Sequence, residues 1–76
     1  MDKTILPQQA ININSSAVKS ASYDYEMRKL RLTYQSDNSY NYAEVPVHVF
    51  EGLRTSNSKG KFINKYVLNK YSFKRA

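Results

Sequence analysis

The sequence contains no cysteine among its 76 residues. Without cysteine, neither a disulfide nor a thiolate metal site can hold the fold together, and the absence is compatible with a reducing cytoplasm. A chain of this length forms one domain, and a domain of this size buries only about 60% of its unfolded surface. Hydrophobic residues make up 41% of the chain, which is enough for one thin core between two layers.

The sequence also lacks a long apolar run. No segment approaches the roughly 18 consecutive apolar residues that a membrane-spanning helix requires. Residues 1–7 lack a basic region followed by an apolar run, which is the pattern of a secretory signal. We therefore expect a soluble, cytoplasmic protein without a membrane partner.

Residues suited to catalysis are scarce. His48 is the single histidine, and its i+3 neighbour Glu51 is expected to make only a surface contact with it. A metal site or a histidine-based relay would need more partners than these. Residues 58–61 match the S-x-x-K motif of serine–lysine enzymes, but those enzymes need two further motifs and a larger fold, and the P-loop pattern is absent. We expect a protein that is not an enzyme and that uses no cofactor and no metal.

Acidic residues are nearly absent from the second part of the chain. Residues 1–46 carry five basic and five acidic side chains, whereas residues 47–76 carry seven basic side chains against Glu51 alone, so the net charge of +6 lies entirely in the last thirty residues. The seven are Arg54, Lys59, Lys61, Lys65, Lys70, Lys74 and Arg75. This asymmetry favours an anionic partner. The alternative is a solvated helix face that keeps the protein soluble.

The first part of the chain has the pattern of an antiparallel sheet. Residues 1–14 are predicted to form a flexible lead-in, although Ile11 and Ile13 alternate with asparagines as in a strand. Strands are predicted over 17–24, 28–34 and 40–43. The turn residues Ser36-Asp37-Asn38 join the last two strands, because Asp and Asn tolerate left-handed backbone.

The second part has the spacing of helices. Pro46 suits the start of a short helix around residues 49–53, in which Gly52 indicates close packing or simply a short element. A second helix is predicted from about residue 59 to residue 72, followed by a frayed basic tail over 73–76. The predicted fold class is α+β: a three-stranded antiparallel sheet followed by two short helices packed on one face, with the domain spanning residues 15–72.

Two groups of residues are candidate binding sites. Ser58, Gly60 and Lys61 stand at the predicted start of the second helix, where free N–H groups, a hydroxyl and a lysine would hold a phosphate-sized anion. A plain serine cap with solvated lysines is the competing interpretation, and the pattern favours it. Tyr40 and Tyr42, with Tyr34, share a predicted sheet face, from which exposed rings would stack on bases. Aromatic residues that alternate on a strand more often form the core under a helix.

A series of short motifs extends over most of the chain, from about Ile13 to Tyr71: Ser15-Ser16, Tyr23-Asp24, Leu30-x-Leu32, Tyr40-Asn41-Tyr42, Val45-Pro46, Phe50, Leu53, Ser58-x-Gly60-x-Phe62-x-Asn64 and Tyr71. This series resembles the KTSC domain family. The family is named for its occurrence at the C-terminus of some lysyl-tRNA synthetases, and it also occurs as a small stand-alone protein in bacteria and phages. Two departures are Ser56 in place of a small apolar residue and Asp37-Asn38-Ser39 in place of a turn glycine. The resemblance implies the architecture of the family, and for the function it suggests RNA binding. The family positions that correspond to functional candidates here are Tyr40, Tyr42, Ser58 and Gly60.

These observations lead to three hypotheses. In the first, the chain is an RNA- or nucleic-acid-binding module whose phosphate contacts are Lys59, Lys61, Lys65, Lys70 and Lys74, and in which Tyr40 or Tyr42 stacks if exposed. In the second, it is a protein-interaction module, for example a phage or bacterial accessory factor acting on a host protein, as a monomer or a homodimer. In the third, the turn at residues 58–61 binds a small phosphorylated ligand.

Overall fold

The computed structural model describes residues 8–76, so the part of the predicted lead-in over 1–7 lies outside the described residues. Five antiparallel strands form one sheet in the order β1-β2-β3-β4-β5, and two helices connect β4 to β5. The elements are β1 Gln8–Asn12, β2 Val18–Asp24, β3 Lys29–Tyr34, β4 Ser39–Tyr42, α1 Val47–Thr55, α2 Lys59–Tyr66 and β5 Phe73–Arg75.

The predicted α+β class is confirmed, but the predicted count of three strands is wrong. The two additional strands are β1, within the segment predicted as a lead-in, and β5, within the segment predicted as a frayed tail. Each lies at an edge of the sheet and pairs with one neighbour only. Strand β5 pairs with β4, which is distant along the chain. The three residues of β5 are all exposed. A short exposed strand has no alternation of buried and exposed residues that a sequence pattern could reveal.

The second helix is shorter than predicted. It ends at Tyr66 rather than near residue 72, and the N–H groups of Val67 and Leu68 both donate to the carbonyl of Ile63, at 2.9 and 3.0 Å. Asn69 then adopts a left-handed backbone with φ of 65°, which turns the chain towards β5. Asparagine tolerates this region better than most residues, so the turn forms without glycine.

The helices cover one face of the sheet and leave the other face polar. Leu30 and Leu32 of β3 point to the helices and are fully buried, whereas Lys29 and Arg31, which alternate with them, are exposed. The ring of Tyr23 in β2 stacks on Phe50 of α1 at 4.9 Å between centroids. The residues of the core are Ile13, Val18, Ala21, Tyr23, Leu30, Leu32, Tyr42, Val45, Val49, Phe50, Leu53, Ile63 and Val67.

The predicted turn over 36–38 is confirmed. Asp37 has a left-handed backbone with φ of 69°, and its N–H donates to the carbonyl of Tyr34 at 2.8 Å. The side chain of Asp37 accepts a hydrogen bond from Lys19 at 2.7 Å. This turn connects β3 to β4 and therefore places Tyr34, Tyr40 and Tyr42 near one another.

Candidate nucleic-acid interface

The predicted lysines are distributed over three different parts of the surface. Lys74 of β5 lies on the polar face of the sheet, since it alternates with Phe73, which packs against the rings of Tyr40 and Tyr42 on the helix side. Lys29, which alternates with the buried Leu30, lies on the same polar face, and Lys74 and Lys29 line one cavity. Lys74 is therefore separated by the sheet from the lysines of α2.

Lys65 and Lys70 do come together, in a cleft between the helices and the turn that follows α2. We call this the basic cleft; it has a volume of about 540 Å³ and is lined by His48, Val49, Lys65, Tyr66, Lys70 and Tyr71. The ammonium group of Lys65 lies 5.3 Å from the centroid of the Tyr66 ring. Tyr66 is 46% exposed, so a face or edge of its ring is available to a ligand.

The early end of α2 produces the basic cleft. Ile63 and Val67 are buried against the core, and the helix ends at Tyr66. The left-handed turn at Asn69 then brings Lys70 and Tyr71 back beside Lys65. A helix continuing to residue 72, as predicted, would have placed Lys70 further along the same axis.

Lys61 lies in a second cleft, which we call the loop–helix cleft. It has a volume of about 320 Å³ and is lined by Ser15, Ser16, Ala17, Val18, Tyr34, Gly60, Lys61, Ile63, Asn64 and Leu68. The hydroxyl oxygen of Ser15 accepts a hydrogen bond from the N–H of Ala17 at 3.2 Å. A Cβ on Gly60 would lie only 2.9 Å from that hydroxyl oxygen, so the glycine allows α2 to approach the loop.

The predicted anion-binding residues do not converge on one point. Gly60 and Lys61 line the loop–helix cleft, but Ser58 is exposed and its side chain makes no capping hydrogen bond to α2. The neighbouring Lys59 is half-buried, and its ammonium group donates to the carbonyl of Ser56 at 2.9 Å. Lys59 is thus engaged with its own chain.

The tyrosines of β4 differ in exposure. Tyr42 is only 3% exposed, and its hydroxyl is hydrogen-bonded to that of Tyr34 at 3.2 Å. Burial, followed by that hydrogen bond, raises the pKa of Tyr42 well above its usual value. Stacking of Tyr42 on a base was predicted only if its ring is exposed, and this condition is not met. Tyr40, by contrast, is half-buried at the edge of the core.

Tyr40 belongs to a third cavity, which we call the aromatic groove. The groove has a volume of about 490 Å³ and is lined by Ala17, Tyr34, Ser36, Asn38, Tyr40, Tyr42 and Phe73. Tyr40 contacts Tyr34 edge-on with centroids 5.7 Å apart, and it contacts Phe73 at 5.6 Å. No lysine predicted to bind nucleic acid lies among these lining residues.

Three residues of the basic cleft were not among the predicted nucleic-acid-binding residues: His48, Tyr66 and Tyr71. The i, i+4 spacing of Phe62 and Tyr66 is typical of a pair on the inner face of a helix, and their ring centroids are 4.6 Å apart, yet Tyr66 is 46% exposed. The adjacency of Lys65 and Tyr66 in the sequence could have indicated a basic and aromatic surface. His48 does not pair with Glu51 as considered, because Glu51 accepts hydrogen bonds from Arg54 and Tyr25 instead.

Within residues 8–76, no group of three or more His, Cys, Asp or Glu side chains is placed to hold a metal ion. In the same part of the chain, no helix has the length and apolar character needed to cross a membrane. The candidate binding sites are the basic cleft, the loop–helix cleft and the aromatic groove.

The family model of the KTSC domain matches residues 14–71. The chain belongs to the KTSC domain family. A lysine–tRNA ligase from Nostoc punctiforme is 33% identical over 60 residues, which are 79% of this chain but only 11% of the ligase. A protein from Tsukamurella paurometabola is 38% identical over 55 residues, covering 72% of this chain and 82% of that protein.

A solved structure has the same fold. The crystal structure of the KTSC domain protein YPO2434 from Yersinia pestis superposes with a TM-score of 0.84 at 25% sequence identity, covering 91% of this chain and 97% of that one. The motif residues of this KTSC domain have clear structural roles: Tyr42 lies in the core, and Gly60 is the point where α2 contacts the loop at Ser15.

Proposed function

We propose that this KTSC domain is a non-enzymatic module that binds RNA through the basic cleft. The observation that supports the proposal best is the convergence of Lys65, Lys70 and the exposed ring of Tyr66 on one cavity. Positive groups beside an aromatic ring are the combination by which proteins hold single-stranded nucleic acid, because the cations neutralise phosphates and the ring stacks on a base.

The charge distribution supports the same partner. Lys65 and Lys70 belong to the segment 47–76, which contains the whole net charge of +6. Counterion release by such a segment favours any polyanion and gives an affinity that falls with salt. The aromatic component narrows the choice to a nucleic acid with unpaired bases, since a duplex offers no free base face.

A relative provides independent support. The lysine–tRNA ligase of Nostoc punctiforme is, by its name, an enzyme that acts on tRNA, and about one tenth of its length matches this domain. A module in such an enzyme is well placed to add an RNA contact. We extend that role to this chain as part of the proposal.

The test is fluorescence anisotropy with labelled single-stranded RNA, tRNA and duplex DNA at low and moderate salt. We expect binding to the RNAs that weakens with salt. The Lys65→Glu/Lys70→Glu variant should lower the affinity at least tenfold, because it replaces two cations of the cleft with anions.

The matched control is Lys29→Glu/Lys74→Glu, which changes the net charge equally on the opposite face of the sheet. It should retain most of the affinity. An equal loss in both double variants would contradict the basic cleft as the binding site, and absence of binding at low salt would refute RNA binding altogether. Circular dichroism of each variant establishes that it is folded.

A protein partner is the second candidate function, and exposed apolar side chains favour it. Val47 is 46% exposed and Met27 is 57% exposed. Such residues would contact a bacterial or host protein if the chain is an accessory factor of a bacterium or phage. Affinity capture with Val47→Ser as the control tests this function: a partner lost in that variant while RNA binding persists would support it.

A small phosphorylated ligand at the start of α2 is a third possibility. Calorimetry with nucleotides tests it, and the absence of heat would exclude it.

A further inference from the structure

The aromatic groove contains four rings, and two of the three contacts between them are at steep angles. Tyr34 and Tyr40 are perpendicular at 90°, Tyr40 and Phe73 meet at 73°, and Tyr42 and Phe73 at 38°. A cavity of about 490 Å³ adjoins them, within the range of about 300–1,000 Å³ that is usual for small-ligand sites. The rings thus form an angular wall rather than a single flat stack.

The helices leave this end of the sheet uncovered. Phe73 is 57% exposed although its direct partner across the strands, Tyr42, is only 3% exposed. An aromatic side chain on the core face of a sheet is usually covered by the opposite layer. The exposure of Phe73 therefore marks the point where the helix layer ends and the core face becomes accessible.

Polar groups stand at fixed positions around the groove. The hydroxyls of Tyr34 and Tyr42 meet at 3.2 Å, and the side-chain oxygen of Asn38 accepts a hydrogen bond from the guanidinium of Arg75 at 2.7 Å. The amide nitrogen of Asn38 donates one N–H to the Ser36 hydroxyl at 3.2 Å, which leaves its second N–H and the remaining N–H groups of Arg75 to donate to a ligand. These donors suit a heterocycle with carbonyl and ring-nitrogen acceptors.

The electrostatic character of the groove excludes a cationic occupant. Aromatic cages bind quaternary ammonium groups, but the charge beside this one is that of Arg75, which repels cations. None of the described residues lining the groove is acidic. Asp37, the neighbour of Asn38, is paired with Lys19 at 2.7 Å. A neutral base attached to an anionic phosphate fits this combination.

The groove adjoins the loop–helix cleft, since Ala17 and Tyr34 line both cavities. Lys61 lines the cleft, and Arg75 donates to Asn38 of the groove, so a cation stands beside each cavity. A chain of nucleotides has this alternation of planar bases and anionic linkages. The two cations would contact phosphates on either side of a base held between them.

We infer that the aromatic groove binds an unpaired nucleobase of single-stranded RNA, with the flanking phosphates at Arg75 and Lys61. This inference rests on the proposed RNA binding and adds a contact that is separate from the basic cleft. The groove selects unpaired over paired nucleic acid, because a base within a duplex cannot enter it.

The test uses Phe73→Trp, which introduces the single tryptophan of the chain at an exposed position of the groove. Titration with adenosine monophosphate, uridine monophosphate and single-stranded RNA should quench its emission in a saturable manner. The control is Met27→Trp, also at an exposed position, outside the residues that line the three sites. Its emission should change at least threefold less, by collision only.

Failure of the groove and failure of RNA binding give different results. RNA binding by anisotropy without saturable quenching in Phe73→Trp would overturn the groove while leaving the basic cleft. Quenching by mononucleotides that persists in a Lys65→Glu/Lys70→Glu background would support the groove by itself. Quenching by choline but not by nucleotides would overturn the assignment in favour of a cation site. If Phe73→Trp does not fold, nitrogen-15 NMR of the unaltered chain with adenosine monophosphate decides: shifts at the Asn38 side-chain amide support the inference, and their absence overturns it.

Discussion

Gly52 of α1 lies directly against the ring of Phe62 of α2, so closely that a Cβ on Gly52 would be 2.7 Å from Cζ of that ring. Glycine within a helix costs about 1 kcal/mol relative to alanine. The contact with Phe62 explains why the position has no side chain. Close packing, one of the two interpretations of Gly52 offered by the sequence, is confirmed.

Gly52→Ala is expected to lower the free energy of unfolding by up to about 2 kcal/mol. The gain in helix propensity of about 1 kcal/mol is smaller than the cost of overpacking a well-filled contact, which is typically about 1–3 kcal/mol. Urea denaturation followed by circular dichroism measures the change. Adding Phe62→Leu should recover part of the loss, giving a coupling free energy between the two positions. A more stable Gly52→Ala would show that Phe62 moves away without cost.

Tyr23→Phe should lower the free energy of unfolding by about 1–3 kcal/mol. The Tyr23 hydroxyl donates to the buried carbonyl of Val45, and its removal leaves that carbonyl without this partner. Tyr25→Phe is the matched control, because the hydroxyl of Tyr25 bonds to Gln9 and Glu51 at the surface. We expect the control to change stability by less than about 0.5 kcal/mol. Equal effects of the two substitutions would argue against a buried hydrogen bond at Val45.

Stability should fall as the pH rises above about 10. Burial raises the pKa values of Tyr23 and Tyr42, so the folded chain retains phenolic protons that the unfolded chain loses near pH 10. The unfolded state then binds fewer protons, and the free energy of unfolding decreases by at most about 1.4 kcal/mol per pH unit for each such tyrosine. The stabilisation is complete below pH 10 and is lost as the pH approaches the raised values.

Urea denaturation between pH 8 and pH 11 measures this slope, with Tyr42→Phe as the diagnostic variant. Since Tyr42→Phe removes one of the two buried phenols, its stability should decline less steeply with pH than that of the parent. A slope unchanged by Tyr42→Phe would mean that Tyr42 titrates in the folded state as it does in the unfolded state.

Removal of residues 73–76 should lower the free energy of unfolding by about 1–3 kcal/mol. The strand β5 forms three cross-strand pairs with β4, each worth about 0.2–1 kcal/mol, and it covers part of Tyr42. Thermal denaturation measures the loss, and hydrogen exchange of the β4 amides should become faster. A truncated chain of unchanged stability would indicate that β5 is detached in solution.

Local patterns were sufficient for the centre of the fold and insufficient for its edges. Strand β3 was predictable because Leu30 and Leu32 alternate with charged residues, and α1 was predictable from Pro46 and the spacing of its apolar residues. Strand β5 gave no signal, because its residues are exposed and its pairing depends on a partner more than 30 residues away. The end of α2 was misplaced because the left-handed turn occurs at Asn69, a residue that also occurs within helices.

The candidate sites were predictable in composition but not in arrangement. The charge asymmetry suggested Lys65 and Lys70, which line one cleft in the structure, but it equally suggested Lys74, which lies across the sheet. Sequence spacing cannot distinguish these positions, because the reversal of the chain after α2 determines which face each lysine occupies. The same reversal brings Phe73 beside Tyr40 and so creates the aromatic groove.

The salt dependence of RNA binding should count the phosphate contacts of the basic cleft. For single strands, the logarithm of the association constant falls with the logarithm of the salt concentration with a slope of about −0.7 per neutralised phosphate. Lys65→Ala/Lys70→Ala removes two cations from the cleft, so we expect the slope to become less steep by about 1.4. Lys29→Ala/Lys74→Ala removes two cations from the polar face of the sheet and should leave the slope unchanged. Anisotropy titrations at four or more salt concentrations provide both slopes. An equal reduction of the slope in the two variants would mean that RNA contacts the domain at many positions rather than at one cleft.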